Sequence, residues 1–360
     1  MTHTAAVIGT GPEPENPVWG ESAAMAYQHA PGYERRDDVE LAACADLVRE
    51  NALAFADEFD ISEDHVFEDY EEMLREVEPD VVSVCTPVPT HAPIVLDCIH
   101  SGVPDAVHCE KPMATRWEDA RLMAQEADRW DVQLTFNHQR RFEPRWRRPK
   151  ELLDDGEIGD LKRLEVSAKT LLDNATHFID LANFYNDERP AEWVLGQLDY
   201  REEHVKYGAH NANQTLALWG YPNGVEGMAI TGHGTETVGA SNRLVGTEGV
   251  IEVNPTDADA AARIRRAGDE EWTALDVETE AGWGGSIVAA IDHVVDCLDA
   301  GEEPELSARR ALNVTELIFG TYESSRRRGR VDLPLRTDGN ALEEMVESGE
   351  LNPRTPEDNS

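Results

Sequence analysis

A chain of 360 residues with 40% hydrophobic content is long enough to bury two cores and form two domains. Lys and Arg number 32 against 72 Asp and Glu, a formal net charge of -40 spread along the chain, which leaves no basic footprint for nucleic acid. No stretch has the apolar length that crosses a bilayer, and the first residues run into a strand without a basic region or cleavage site, so the expectation is a cytoplasmic protein with no membrane partner.

Nearly all the positive charge is Arg, since the lysines are only Lys111, Lys150, Lys162, Lys169 and Lys206. The composition is similar to that of proteins from extreme halophiles, where molar salt screens self-repulsion. In such a chain a Lys at position 111 suggests a task for a compact, titratable ammonium. Cys44, Cys85, Cys98, Cys109 and Cys297 lie mostly in apolar runs without metal-ligand spacing; they are expected to be buried thiols, with no metal site.

In chain order, Ala5 to Gly9 is an apolar run followed by Thr10 and Gly11, and Gly20 leads into a helix-forming stretch from Glu21 to Ala30. A dinucleotide fingerprint would carry its third glycine at position 14, where Pro14 stands, so Gly20 takes that role after an insertion. Val39 to Ala45 is a second strand ending at Asp46. That carboxylate suits the adenosine ribose hydroxyls and equally the N-cap of a helix from Leu47 to Phe59. An acid there disfavours the 2′-phosphate of NADP, whereas Arg49 one turn along could reach it; the cofactor expected is NAD or NADP, with NAD favoured.

Asp80 to Cys85 is a buried strand, and Thr86, Pro87, Val88, Pro89, Thr90 and His91 turn into a helix capped by Thr90 and stopped at Gly102. Ala106 to Cys109 leads to Glu110, Lys111 and Pro112 at what reads as a strand's carboxyl end, where open α/β sheets bind ligands. Alone, that triplet reads as a solvated ion pair. A capping box of Thr115 and Glu118 starts a helix with Ala120, Met123, Ala124 and Ala127 on one face, and Val132 to Phe136 is another strand. The alternation predicts a doubly wound parallel sheet over residues 1–137.

Residues 138–336 change character. After an Arg-rich stretch, a helical segment runs from Pro149 to about Gly156, and short apolar runs follow at Leu164 to Ala168, Trp193 to Leu198, Gln214 to Trp219, Val225 to Thr231, Arg243 to Val253 and Trp272 to Val277, the pattern of an antiparallel sheet. Helices are expected over Asn174 to Tyr185, from Ser286 with Ile287, Ile291, Val294, Val295 and Leu298, and over Ser307 to Arg328. Residues 337–360 read as an acidic tail, partly ordered at best.

The ordered motifs Gly9-Thr10-Gly11, Asp46, Cys85-Thr86-Pro87 with His91, Glu110-Lys111-Pro112, Arg140-Arg141-Phe142 with Pro144, Asp173 with His177, and Gly246-Thr247-Glu248-Gly249 together resemble the glucose-fructose oxidoreductase, inositol dehydrogenase and rhizopine-catabolism family (Gfo/Idh/MocA), as a haloarchaeal-type member, over almost the whole chain. The resemblance implies an N-terminal Rossmann domain that binds the cofactor through Gly9, Thr10, Gly11, Gly20, Asp46, Thr86, Pro87, His91, Glu110 and Lys111. It implies a second α/β domain with a large open antiparallel sheet that carries substrate contacts and forms a homodimer or homotetramer.

It also implies a catalytic trio of Lys111, Asp173 and His177. The residue types suit alcohol oxidation: His177 takes the hydroxyl proton, Lys111 stabilises the developing alkoxide, and Asp173 orients the hydroxyl or the imidazole. Asp173 and His177 share one helical face if the helix reaches back that far; otherwise Asp173 lies on the preceding turn, and its structural role would be an N-cap. Glu110 is read as a positioning partner. Two departures from the family stand out: the segment Ser167 to Leu172, usually a longer loop shaping the substrate pocket, is short, and the glycine loop is long, so that Pro14, Pro17, Val18 and Trp19 could supply the missing wall. The function expected is an NAD(P)-dependent oxidoreductase acting on an alcohol carbon of a sugar, polyol or related small molecule. The alternatives are an inactive dinucleotide-binding sensor or partner module and an NAD-using glycoside hydrolase.

Overall fold

The computed structural model describes residues 2–13, 24–277 and 282–355. Gly20 and the loop residues Pro14, Pro17, Val18 and Trp19 lie outside the described residues. The chain divides into two compact units: Met1–Ala114, Asp119–Gln139 and Trp283–Ala311 form the first, and Thr115–Glu118, Arg140–Gly282 and Leu312–Ser360 the second.

In the first unit the strands are β1 (His3–Ile8), β2 (Val39–Ala45), β3 (Val66–Phe67), β4 (Val81–Val84), β5 (Ala106–Cys109) and β6 (Gln133–Phe136). They form one parallel sheet in the order β3-β2-β1-β4-β5-β6. Their runs are apolar on both faces because the helices α1 (Ala26–Glu34), α2 (Arg49–Glu58), α3 (Tyr70–Val77), α4 (His91–Ser101) and α5 (Trp117–Trp130) connect successive strands, and parallel sheets are covered on both sides. The strand order reverses between β1 and β4, which puts a ligand crevice at their carboxyl ends.

The helix from Ser286 belongs to this unit and not to residues 138–336, which corrects the single boundary expected from sequence. Ile291 and Val295 share a core with Ala5, Tyr33, Val39, Val81 and Ala106. Gly32 of α1 makes this approach possible: a Cβ there would stand 2.7 Å from Ile291 Cβ. Periodicity reveals an apolar face but not which sheet covers it.

In the second unit the strands run β7 (Leu161–Ala168), β8 (Trp193–Asp199), a separate hairpin of β9 (Val205–Lys206) and β10 (Ala209–His210), β11 (Gln214–Gly220), β12 (Glu226–Thr231), β13 (Ala240–Gly246), β14 (Gly249–Pro255), β15 (Ala262–Arg266), β16 (Thr273–Ala274) and, near the end, β17 (Val331–Asp332). All but the hairpin form a nine-stranded sheet ordered β16-β15-β14-β13-β7-β12-β11-β8-β17. It is antiparallel apart from the β12 and β7 pair. The run Arg243 to Val253 is two strands, because the Gly-Thr-Glu-Gly sequence turns the chain back. A Cβ on Gly246 would meet Ile158 O at 2.1 Å. The Arg-rich β15 was hidden by its charge, and Trp272 to Val277 contributes only β16.

The helices are α6 (Pro144–Asp154), α7 (Ala175–Tyr185), α8 (Gly282–Ala300), α9 (Ala308–Arg327) and α10 (Ala341–Glu347). The first of these starts at Pro144, where a missing N–H costs nothing, and contains Pro149, the start that the sequence predicts. The described part of the expected tail, residues 337–355, is built into the second unit. Asn340 caps α10 by accepting from Leu342 N at 3.1 Å, and Leu342 and Met345 are buried. Glu118, expected in a capping box, instead accepts from Gly339 N.

Candidate active site

In the first unit the ladder of the parallel sheet runs on past the strands and sets the crevice residues in place. Gly9 N donates to Ala45 O at 2.8 Å, Cys85 N to Ile8 O at 2.8 Å, Glu110 N to Val84 O at 2.9 Å, and Asn137 N to Cys109 O at 2.9 Å. Gly9 and Gly11 have φ of +86° and +63°. A Cβ on Gly9 would fall 2.5 Å from Thr86 Cγ2, so only glycine lets β1 and β4 close at their tips. Asp46 Oδ2 accepts from Gly11 N at 2.9 Å and from Thr10 Oγ1 at 3.2 Å, and its Oδ1 accepts from Val48 N at 2.9 Å. It therefore closes the turn ahead of α2, whose N-cap position is Val48 and not Asp46 as the sequence allows, and pins the glycine loop. Arg49 donates to Val66 O at 3.2 Å and lies 3.7 Å from Glu63. The glycine cradle, the switch point and the half-buried acid fit a dinucleotide.

Beside the cradle, Glu110 is buried beneath Lys111. Glu110 Oε1 accepts from Asn137 Nδ2 at 2.7 Å and is 3.0 Å from His29 Nε2; Oε2 accepts from Lys111 N at 3.2 Å. Burial alone would raise its pKa, yet the His29 hydrogen bond and charge, Lys111 and Asn137 bring it down to about 2. His29 Nδ1 in turn faces Ser83 Oγ at 3.0 Å, which meets Tyr33 OH at 2.7 Å. His108 stacks near His29, and burial lowers it to about 3, so it is a neutral imidazole at working pH. Glu110 is thus an ionised anchor for the Lys111 backbone.

His91 is 1% exposed, with Nδ1 2.9 Å from Pro112 O and Nε2 2.8 Å from Thr86 O. Its ring is spent on joining the Thr86-Pro87 turn to the Lys111–Pro112 segment, whose peptide bond is cis. Both ring nitrogens are thus committed to backbone carbonyls, a positioning role beside the cofactor contact expected from sequence.

In the second unit Asp173 sits on the turn before α7, and His177 is in the helix's first turn. Asn174, not Asp173, occupies the N-cap position, which corrects the capping role considered for Asp173. Asp173 N donates to Asn211 Oδ1 at 3.1 Å, and its Oδ2 accepts from Lys206 Nζ at 2.8 Å. Every residue of α7 is buried. Arg141, fully buried, fixes its far side: Nε donates to Asp180 Oδ2 at 2.7 Å and Nη2 to Asp180 Oδ1 at 2.6 Å, with Glu188 completing the pair. Burial opposes the Arg141 charge, but these carboxylates outweigh it and raise its pKa. Asp180 is thereby committed to structure. Among the described residues no group of His, Cys, Asp and Glu could hold a metal ion.

The structure thus brings together Gly9, Thr10, Gly11 and Asp46, and separately Thr86, Pro87, His91, Glu110 and Lys111, within one unit; Asp173 and His177 belong to the other. Sequence reading missed His29, Asn137, Asn211 and Lys206. For Lys206 a signal was present, because the scarcity that singled out Lys111 applies equally to it.

A family model described as an oxidoreductase family with an NAD-binding Rossmann fold matches residues 18–138, and the model of that family's C-terminal alpha/beta domain matches 132–333. The chain is 28% identical over 296 residues to the inositol 2-dehydrogenase of Rubrobacter xylanophilus, covering 77% of this chain and 76% of that one. It is 24% identical over 333 residues to the D-apiose dehydrogenase of Paraburkholderia graminis, covering 85% and 86%. A levoglucosan dehydrogenase solved with NADH and levoglucosan shares the fold, with a TM-score of 0.76 at 18% identity, over 93% of this chain and all of that one.

Proposed function

Because the chain belongs to the Gfo/Idh/MocA oxidoreductase family and is an NAD(P)-dependent oxidoreductase, we propose that its substrate is a sugar, polyol or related small molecule with a secondary or anomeric CH–OH group. The relatives named as inositol and apiose dehydrogenases support this class. The nicotinamide, when bound, takes up or returns the hydride of that carbon. Lys111 carries the reading: its backbone is anchored by a buried carboxylate at the carboxyl end of β5, which fixes where its ammonium can stabilise an alkoxide. His177 takes the hydroxyl proton, and Asp173 orients the hydroxyl.

NAD is the cofactor we favour, because Asp46 meets the glycine loop and Arg49 is directed to Val66 and Glu63 and not toward a 2′-phosphate. We place the working protein in molar salt on its charge balance. We assign a homodimer or homotetramer to the open face of the nine-stranded sheet, where Leu195, Leu216 and Leu218 are exposed. Among the described residues no helix is long and apolar enough to cross a membrane.

The test is a fluorescence titration with NADH and NADPH in molar KCl, followed by a sugar and polyol panel read at the nicotinamide absorbance. NADH binds more tightly than NADPH, and Lys111→Met and His177→Ala each lower kcat by about 10²- to 10³-fold with NADH affinity unchanged. Full turnover in either variant removes that residue from the mechanism.

A further inference from the structure

The β9–β10 hairpin has no counterpart in the reading so far, and it is clamped to Asp173 twice. Asn211, which is fully buried, accepts from Asp173 N at 3.1 Å and donates from Nδ2 to Ala209 O at 3.1 Å, so the hairpin's second strand and the catalytic turn share one side chain. From the first strand, Lys206 Nζ donates to Asp173 Oδ2 at 2.8 Å. The two ends of that pair differ: the Asp173 side chain is 10% exposed and the Lys206 side chain 43%.

The hairpin turn is Tyr207-Gly208, with φ of +51° and +79°. Positive φ at both central residues is the two-residue turn for which Asn-Gly is the cheap solution, and an aromatic residue there carries backbone strain. That strain places the half-exposed Tyr207 ring 4.9 Å from Lys206 Nζ. A cation and an aromatic face are thus held at the edge of the turn that carries Asp173, near the short segment Ser167 to Leu172 where the family pocket wall is reduced.

We propose that Lys206 and Tyr207 form a substrate subsite for a vicinal diol. This rests on the assignment of Asp173 to the reacting hydroxyl. An ammonium has three donors and a carboxylate only acceptors, so the pair is a donor and an acceptor one hydrogen-bond length apart. Gauche hydroxyls on neighbouring ring carbons have about the same spacing. One hydroxyl donates to Asp173, its neighbour accepts from Lys206, and the C–H face of the ring rests on Tyr207. A lone alcohol would use only the first of these contacts. Lys206 thereby selects cyclitols and pyranosides over isolated secondary alcohols.

The experiment uses the full chain in molar KCl with a panel of cyclitols and pyranosides, each paired with the analogue deoxygenated beside the reacting carbon. Lys206→Met raises KM about tenfold more for the diols than for the deoxy analogues, the size of one charge-assisted hydrogen bond. Lys206→Arg restores part of the loss. Tyr207→Asn, which suits the turn, keeps or raises the melting temperature while raising KM for both sets. NADH affinity stays constant throughout. Equal KM values for Lys206→Met and the wild type on the diols overturn the subsite, as does a panel from which nothing is turned over although NADH binds. A folded protein that binds neither NADH nor NADPH overturns the oxidoreductase reading beneath it instead.

Discussion

Each unit brings one ionic pair to a proposed catalytic residue, and the two pairs are built differently. His29 and Glu110, under Lys111, are 0% and 8% exposed at the side chain; Lys206 and Asp173 are 43% and 10%. The first pair sits in a closed polar network with Ser83, Tyr33 and Asn137, where every lost partner leaves a group facing low dielectric. The second is open on one side, where water competes and the net worth of the bond is small. A buried pair fixes a backbone, whereas an open pair can exchange partners with a substrate. The difference separates positioning from recognition.

The largest expected effect is on the buried pair. His29→Ala leaves the Glu110 carboxylate with Lys111 N and Asn137 alone, and neutralising a carboxyl at pH 7 against an ordinary pKa of 4.5 costs roughly 3 kcal/mol. Glu110→Ala costs less, about 1–3 kcal/mol, because the buried charge itself leaves with the side chain. Chemical denaturation of both variants in molar KCl measures the order. If Glu110→Ala proves the more costly, the network is held together by something other than the carboxylate.

The same pair predicts an acid limb. Glu110 is depressed from 4.5 to about 2 in the folded state. Its contribution is therefore present in full above the ordinary carboxylate range and is lost as pH falls from about 4.5 toward 2. By linkage that contribution is on the order of 3 kcal/mol, and it disappears from the profile of Glu110→Ala. Stability measured against pH for both proteins gives a difference curve; a flat one contradicts the ionised state of Glu110.

How much of this was legible depends on what kind of information each feature uses. The parallel sheet was legible because β1, β4 and β5 are short, mainly apolar runs leading to Gly9, Thr86 and Glu110, local patterns that need no partner. The helix beginning near Ser286 was legible as a helix but not as part of the first unit, since its neighbour Gly32 lies some 250 residues earlier in the chain. Lys111, Asp173 and His177 are proposed on ordered motifs. His29 was not legible, because a histidine on an amphipathic helix looks the same in sequence whether it packs or holds a carboxylate. Lys206 had its rarity as a signal but no local pattern: its two-residue strand carries no periodicity, and Tyr207 stands where turn chemistry expects Asn or Gly.

The smallest effect is the sharpest test of the contrast. Lys206→Met removes an ion-pair partner of a mostly buried carboxylate, which in a closed site would cost several kcal/mol. Here the pair opens to solvent on the lysine side, so water can take the ammonium's place at Asp173 Oδ2 and the loss stays within about 1 kcal/mol. Screening should shrink it further, so that the wild type and Lys206→Met converge as KCl is raised, whereas the gap between the wild type and His29→Ala persists because its groups are sealed from ions. Denaturation midpoints across a salt series measure both gaps. A large, salt-insensitive loss on Lys206→Met would place that pair in the same class as His29 and Glu110, and would leave Asp173 too tightly held to trade its lysine contact for a substrate hydroxyl.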